Sequence, residues 1–251
     1  MISKKHLATI VFLFSLLFVN AQTTNIMVRA KAKDAKFIGT SIGGAKIMVL
    51  DAYSGEILDE GITSGSTGDT ERIMKKDWGR GVDLSDDKTA GYMATLDIDE
   101  PKFITVKAYA PVNKKQAEVV SSTQLWVIPG KDITGDGVVL EIPGFVVDIL
   151  SPQTHERIKA SDKIWLEANI VMMCGCPVTK DGLWDANQYE VKAVITSSEG
   201  NSREVVLDQK DKPSTFSGET NLDKGLYEIM IYAYDPVTGN SGLDKTNIIV
   251  N

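Results

Sequence analysis

The two cysteines of this 251-residue chain lie one residue apart, in NIVMMCGCPVTKDGLWD at positions 169–185. Thiols at that spacing beside methionine support four outcomes: a local disulfide, a soft-metal clamp, a redox pair, or two idle buried groups. Gly175 between them permits a tight bend, which can bring the Cα atoms within the roughly 4.4–6.8 Å a disulfide needs. Cys174, Cys176 and Met172 would together offer three sulfurs, a set that favours Cu(I). Alternation puts Met172 on the face of Cys174 and Met173 on the other. A zinc site would need third and fourth ligands that the nearby sequence lacks. A redox pair would want C-x-x-C spacing in a βαβ setting, and neither is present. For an exported chain the local disulfide leads. Copper is the alternative cofactor; otherwise none is expected.

A second group of residues suits contact rather than catalysis. The stretch TERIMKKDWGRGVDLSDDKT, 70–89, carries Arg72, Lys75, Lys76, Trp78 and Arg80. A basic, aromatic loop on an acidic protein is a candidate binding loop, and Trp184 in the 174–187 loop is a second exposed-aromatic candidate. Trp126 and Trp165 fall inside strand patterns and are expected in the core. In KDITGDGVV, 131–139, Asp132, Thr134, Asp136 and Gly137 match the opening of a calcium loop. Pro143 stands at the twelfth position where glutamate belongs, so a hairpin turn is expected instead. No G-x-S-x-G, H-E-x-x-H or phosphate-loop pattern occurs, and His155 is the one histidine outside the N-terminal segment. No catalytic residue is assigned, and the chain reads as a non-enzyme.

The elements that must position these groups are strands. Apolar residues alternate with polar ones in AKIMVLDA (45–52), GYMATLDI (91–98), FITVKAYA (103–110), IWLEANIV (164–171), YEVKAVI (189–195) and LYEIMIYA (226–233). Gly, Asn, Asp and Pro clusters separate them, while long segments with a 3.6-residue period are missing. The fold class is all-β: two tandem antiparallel β-sandwich domains after a cleaved signal peptide. The expected divisions are 1–21 for the signal, 22–144 for the first sandwich with its insert at 70–89, and 145–251 for the second. Pro143-Gly144 marks the break, and the short apolar connection predicts end-to-end packing. Strand order then sends Cys174 and Cys176 toward the junction and His155 to the opposite pole, roughly 30 Å away at about 3.3 Å per residue.

The second half resembles bacterial immunoglobulin-like or fibronectin-III-like domains, most clearly in GLYEIMIYAYDPVTGNSG, 225–242. Tyr227 stands where such folds place a tyrosine corner. The first half resembles a transthyretin-like, carboxypeptidase-regulatory-like sandwich in GGAKIMVLDAYSGEILDEGITSGSTGD, 43–69, followed by AGYMATLDI. The 70–89 insert separates the last two pieces, a departure from the family pattern. Both resemblances imply binding or spacer modules.

The chain opens MISKKHLATIVFLFSLLFVNAQ: Lys4 and Lys5, an apolar run of about 13 residues, then small residues, the pattern of a secretory signal. That run is shorter than the roughly 20 residues of a membrane span, so the mature chain is expected not to cross a membrane. Cleavage would move the formal charge from −7 to −9 by removing two lysines. An acidic, aromatic-poor surface argues against a nucleic-acid partner, which needs clustered cations. The expected protein is an exported, non-catalytic binding or accessory protein of the cell envelope, periplasmic or at the cell surface. Its partner is an unknown envelope protein or polymer. Soft-metal delivery through MMCGC and carbohydrate binding are the alternatives.

Overall fold

A computed structural model describes residues 21–251. The expected signal, 1–21, lies outside the described residues except for Ala21. Among them, the first seven strands are β1 (Gln22–Ala32), β2 (Lys46–Asp51), β3 (Ile57–Ile62), β4 (Tyr92–Ile98), β5 (Lys102–Ala110), β6 (Val119–Val127) and β7 (Ile133–Ile142). They form two sheets, ordered β4-β1-β7 and β3-β2-β5-β6. All neighbours are antiparallel except β1 and β7.

The remaining strands are β8 (Phe145–Ser151), β9 (Glu156–Ile158), β10 (Ile164–Met172), β11 (Glu190–Ser197), β12 (Ser202–Val206), β13 (Asp208–Gln209), β14 (Thr215–Thr220), β15 (Gly225–Tyr234) and β16 (Ser241–Val250). Their sheets run β13-β14-β10-β8 and β12-β11-β15-β16-β9. Four strands of one layer and the three-strand centre of the other follow the immunoglobulin-like order. Tyr227, near the start of β15, donates its hydroxyl to the Asp223 carbonyl at 3.0 Å, the back-bond of a tyrosine corner. The molecule is therefore all-β, with two sandwiches in tandem, the second immunoglobulin-like.

The period-2 pattern explains the layers. In β5, Ile104, Val106, Ala108 and Ala110 are buried, while Phe103, Thr105, Lys107 and Tyr109 face outward. In β10, Ile164, Leu166, Ala168, Ile170 and Met172 take the core face. That phase corrects two expectations. Trp165 lies between Ile164 and Leu166 and is 58% exposed; Trp126, opposite Phe103, is 56% exposed. Neither tryptophan is in the core, because the neighbours on either side already own the inner face.

The expected hairpin turn at 131–139 is also corrected. Most of that stretch opens β7, which continues to Ile142 alongside β1. Gly135 and Gly137 adopt φ of 69° and 68°, and the register shifts between Ile26 and Val28. Two residues free of a Cβ let the strand bulge and carry on instead of reversing. The Asp136 carboxylate accepts from the Leu84 and Ser85 N–H groups, both at 2.7 Å, and Asp132 accepts from the Asn25 N–H at 2.8 Å. Both carboxylates fasten neighbouring backbone.

The sandwiches meet end to end. Gly144 donates its N–H to Asn240 Oδ1 at 2.9 Å, and Asn240 Nδ2 donates to the Lys33 carbonyl at 3.2 Å. Lys33 Nζ reaches the Thr238 carbonyl at 2.7 Å, and Lys114 pairs with Asp148 at 2.8 Å. Burial pushes the Asp34 carboxyl upward, and Asp235 adds to that while Lys31 opposes it.

Candidate functional site

Cys174 and Cys176 follow directly from β10. Met172 N–H donates to the Cys176 carbonyl at 3.0 Å, and Gly175 N–H to the Met172 carbonyl at 2.7 Å. Gly175 takes φ 78°, a left-handed conformation that favours glycine, so the chain doubles back within four residues. The Cα atoms are 5.4 Å apart and the sulfurs lie at disulfide distance. Cys174, Cys176 and Met172 are buried, and a side chain at Gly175 would touch Ile42 of the first sandwich. The three sulfur residues thus sit inside the junction, out of reach of solvent.

Trp184 also belongs to this seam. Rather than being an exposed aromatic, it is 6% exposed and donates Nε1–H to the Asp34 carbonyl at 2.9 Å. The 174–187 loop buries Val178 and Ala186 as well. The reason is topological: the end of β10 points at the first sandwich, so its loop is used to seal the joint.

The insert keeps its cationic, aromatic character but is organised against itself. A single helical turn spans Glu71–Lys75. Trp78 donates Nε1–H to the Arg72 carbonyl at 2.6 Å, with the Arg72 guanidinium 5.7 Å and the Lys76 ammonium 5.1 Å from its ring centroid. Two cations over one ring hold the loop together by cation–π attraction. Arg72 Nε also donates to the Asp83 carbonyl at 2.9 Å. Arg80 is exposed, and the tryptophan remains at the surface.

A different surface brings three aromatic rings together. On the outer face of β3-β2-β5-β6, the rings of Tyr53 and Phe103 are 6.0 Å apart, and those of Phe103 and Trp126 are 5.1 Å apart. Tyr53 is 77% exposed. Its turn is fixed by Asp51, which accepts from the Tyr53 and Ser54 N–H groups at 2.9 Å and pairs with Lys102 at 3.1 Å. The Ser54 N–H, then Lys102, then the Tyr53 N–H draw the Asp51 carboxyl down to about 2. Ile57, Ile62 and Val120 are exposed on the same sheet, and Gln124 donates to Thr105 Oγ1 at 3.0 Å beside the rings. Rings of this size are costly to leave in water.

From the sequence, Trp126 is expected in the core and Tyr53 and Phe103 are not singled out, yet the phase of Phe103 and Trp126 is readable. Phe103 shares parity with Thr105 and Lys107, and Trp126 with Ser122 and Gln124, so polar neighbours mark the ring-bearing face as the outer one.

No protein-family model and no curated protein matches the sequence. Among solved structures, the chain is similar to fibronectin(III)-like modules of Clostridium thermocellum CbhA, with 13% identity and a TM-score of 0.31 over 92% of this chain and 94% of that one. It is similar to an engineered protein at 15% identity and a TM-score of 0.32 over 50% of this chain, which spans 24% of the length of that protein. A D1–D4 ectodomain fragment of ICAM-5 matches at 7% identity and a TM-score of 0.29, covering 92% of this chain and 50% of its own. The fold assignment rests on strand order, independently of these likenesses.

Proposed function

We propose that the protein is an exported, non-catalytic binding or accessory protein of the cell envelope, touching its partner through the Tyr53–Phe103–Trp126 row. The observation that carries this is the row itself: three rings in sequence, tilted 43° and 38° to one another, with Tyr53 and Trp126 more than half exposed. The N-terminal signal pattern supports export, and among the described residues no helix is long and apolar enough to cross a membrane. The division into modules at 22–144 and 145–251 is supported by the sheets, whose strands change membership across Pro143-Gly144. A transthyretin-like reading of the first module is supported by its motif. Asp51 ends β2, Ser54-Gly55 turn, and Tyr92 opens β4 after Gly91, its hydroxyl donating at 2.8 Å to the Asp59 carboxylate of the facing sheet.

Carbohydrate binding is the second reading, favoured by the same row, since aromatic faces stack on sugar rings and Gln124, Thr105 and Asp51 supply polar neighbours. The test is cosedimentation with isolated envelopes of the producing cell. Tyr53→Ala with Trp126→Ala should lower retention at least about tenfold, the scale of losing two exposed anchor rings. Trp78→Ala should leave it unchanged. Soluble neutral glycans that compete would select the carbohydrate reading. Equal loss in Trp78→Ala would return the contact to the insert.

For Cys174 and Cys176 we propose a local disulfide that shapes the junction loop, in preference to a copper clamp. The 5.4 Å Cα separation and the burial of the sulfurs support it. Intact mass of the secreted protein should be two hydrogens lighter than the sequence and rise only after reduction. Stoichiometric copper that Cys174→Ser abolishes would establish the soft-metal alternative instead.

A further inference from the structure

We propose that a second copy of this chain pairs with the free edge of β6, joining two outer sheets into one continuous eight-stranded sheet. An edge strand exposes unpaired N–H and C=O groups, and proteins guard such edges with charge, glycine bulges, proline or short length. Among the described residues, seven of the eight edge strands carry such a guard. β3 has Asp59, Glu60 and Gly61; β4 has Asp97; β7 has Asp136, Glu141 and its glycine bulge; β8 has Asp148; β12 has Arg203 and Glu204. β9 and β13 are three and two residues long. β6 alone is unguarded: nine residues, VVSSTQLWV, without charge, glycine or proline.

The sequence of that strand chooses the occupant. Antiparallel pairing with a copy about a two-fold axis at Thr123 uses its full length. The axis sets Val119 against Val127, Val120 against Trp126, Ser121 against Leu125 and Ser122 against Gln124. Apolar residues meet apolar ones at the two outermost positions and polar ones meet around the axis, with the mixed pair Ser121–Leu125 between them; Val120 is 53% and Trp126 56% exposed before pairing. Cross-strand pairs of an aromatic with a β-branched residue are favourable. The chain carries a formal charge of −7, so two copies repel over most approaches. A neutral edge is where they meet without like charges in register. One nine-residue ladder is a small interface, so the dimer should be weak and strengthen with salt as repulsion is screened. It goes beyond the binding role, placing two aromatic rows on one sheet.

Sedimentation velocity across the micromolar range tests it, with Thr123→Lys and Thr123→Glu as variants at an exposed position. Wild type should dimerise reversibly. Each variant alone should dimerise at least about tenfold more weakly, since like charges meet at the axis. A one-to-one mixture of the two should recover the dimer, which misfolded chains would not do. A wild type that stays monomeric throughout, or a Thr123→Lys dimer as tight as wild type, overturns the proposal. Envelope retention measured on monomeric Thr123→Lys separates this outcome from the binding role: loss of the dimer with retention intact leaves that role standing.

Discussion

Trp184→Ala is expected to destabilise the protein by roughly 3–5 kcal/mol, the range for emptying a buried large aromatic site. The substitution removes a ring that is 6% exposed at the joint between the sandwiches and leaves the Asp34 carbonyl without its donor. Because the ring lies between two bodies, the loss should also appear in the shape of unfolding. Urea denaturation followed by tryptophan fluorescence and by far-ultraviolet circular dichroism should separate into two transitions where wild type shows one. Trp184→Phe keeps one six-membered ring in the site and loses the N–H together with the rest of the indole. It should cost about 1–3 kcal/mol, the penalty of one unsatisfied buried acceptor. A Trp184→Ala protein as stable as wild type would mean that the sandwiches do not rely on this seam.

Arg29→Met should be comparably severe, for an electrostatic reason. Arg29, on β1, is buried; its Nη1 donates to the Thr89 carbonyl at 2.5 Å and the Ala90 carbonyl at 2.9 Å. Burial lowers its affinity for a proton, while Asp136, Asp86 and Asp83 pull the other way. Methionine fills similar volume but leaves the Thr89 and Ala90 carbonyls unpaired. Each buried acceptor left without its donor costs roughly 1–3 kcal/mol. Since Arg29 ties the end of the insert to the sheet, limited proteolysis should reveal new cleavage within 83–90. If Arg29→Met melts like wild type and resists nicking there, the insert is held by other contacts.

These two side chains show what a sequence does and does not disclose. The strands were legible because burial of one face forces apolar and polar residues to alternate, and β2, β5, β10, β11 and β15 carry that pattern almost without interruption. The tyrosine corner was legible because Gly225 and Tyr227 stand in a recognisable local order. Arg29 was not: within MVRAKA it looks like any outward cation, and only the arrival of Thr89 and Ala90 from sixty residues away explains its burial. Trp184 was misread for the same reason, since its partner Asp34 is 150 residues distant. Trp126 and Trp165 were misread for another. Lying in a strand pattern suggested the core, whereas the phase within the strand places them outside. The glycines of β7 read as a turn because a bulge and a reversal use the same left-handed residues, and only the parallel partner β1 decides between them.

The proposed contact surface is therefore a product of phase and neighbours together: Phe103 and Trp126 meet across β5 and β6, and the Asp51 turn adds Tyr53. Hydrogen–deuterium exchange on the full secreted chain, free and bound to isolated envelopes, tests that surface most directly. Protection gained on binding should concentrate in 50–54, 102–106 and 120–127. Protection confined to 70–84 or to the 174–187 loop, with those three segments unchanged, would contradict it.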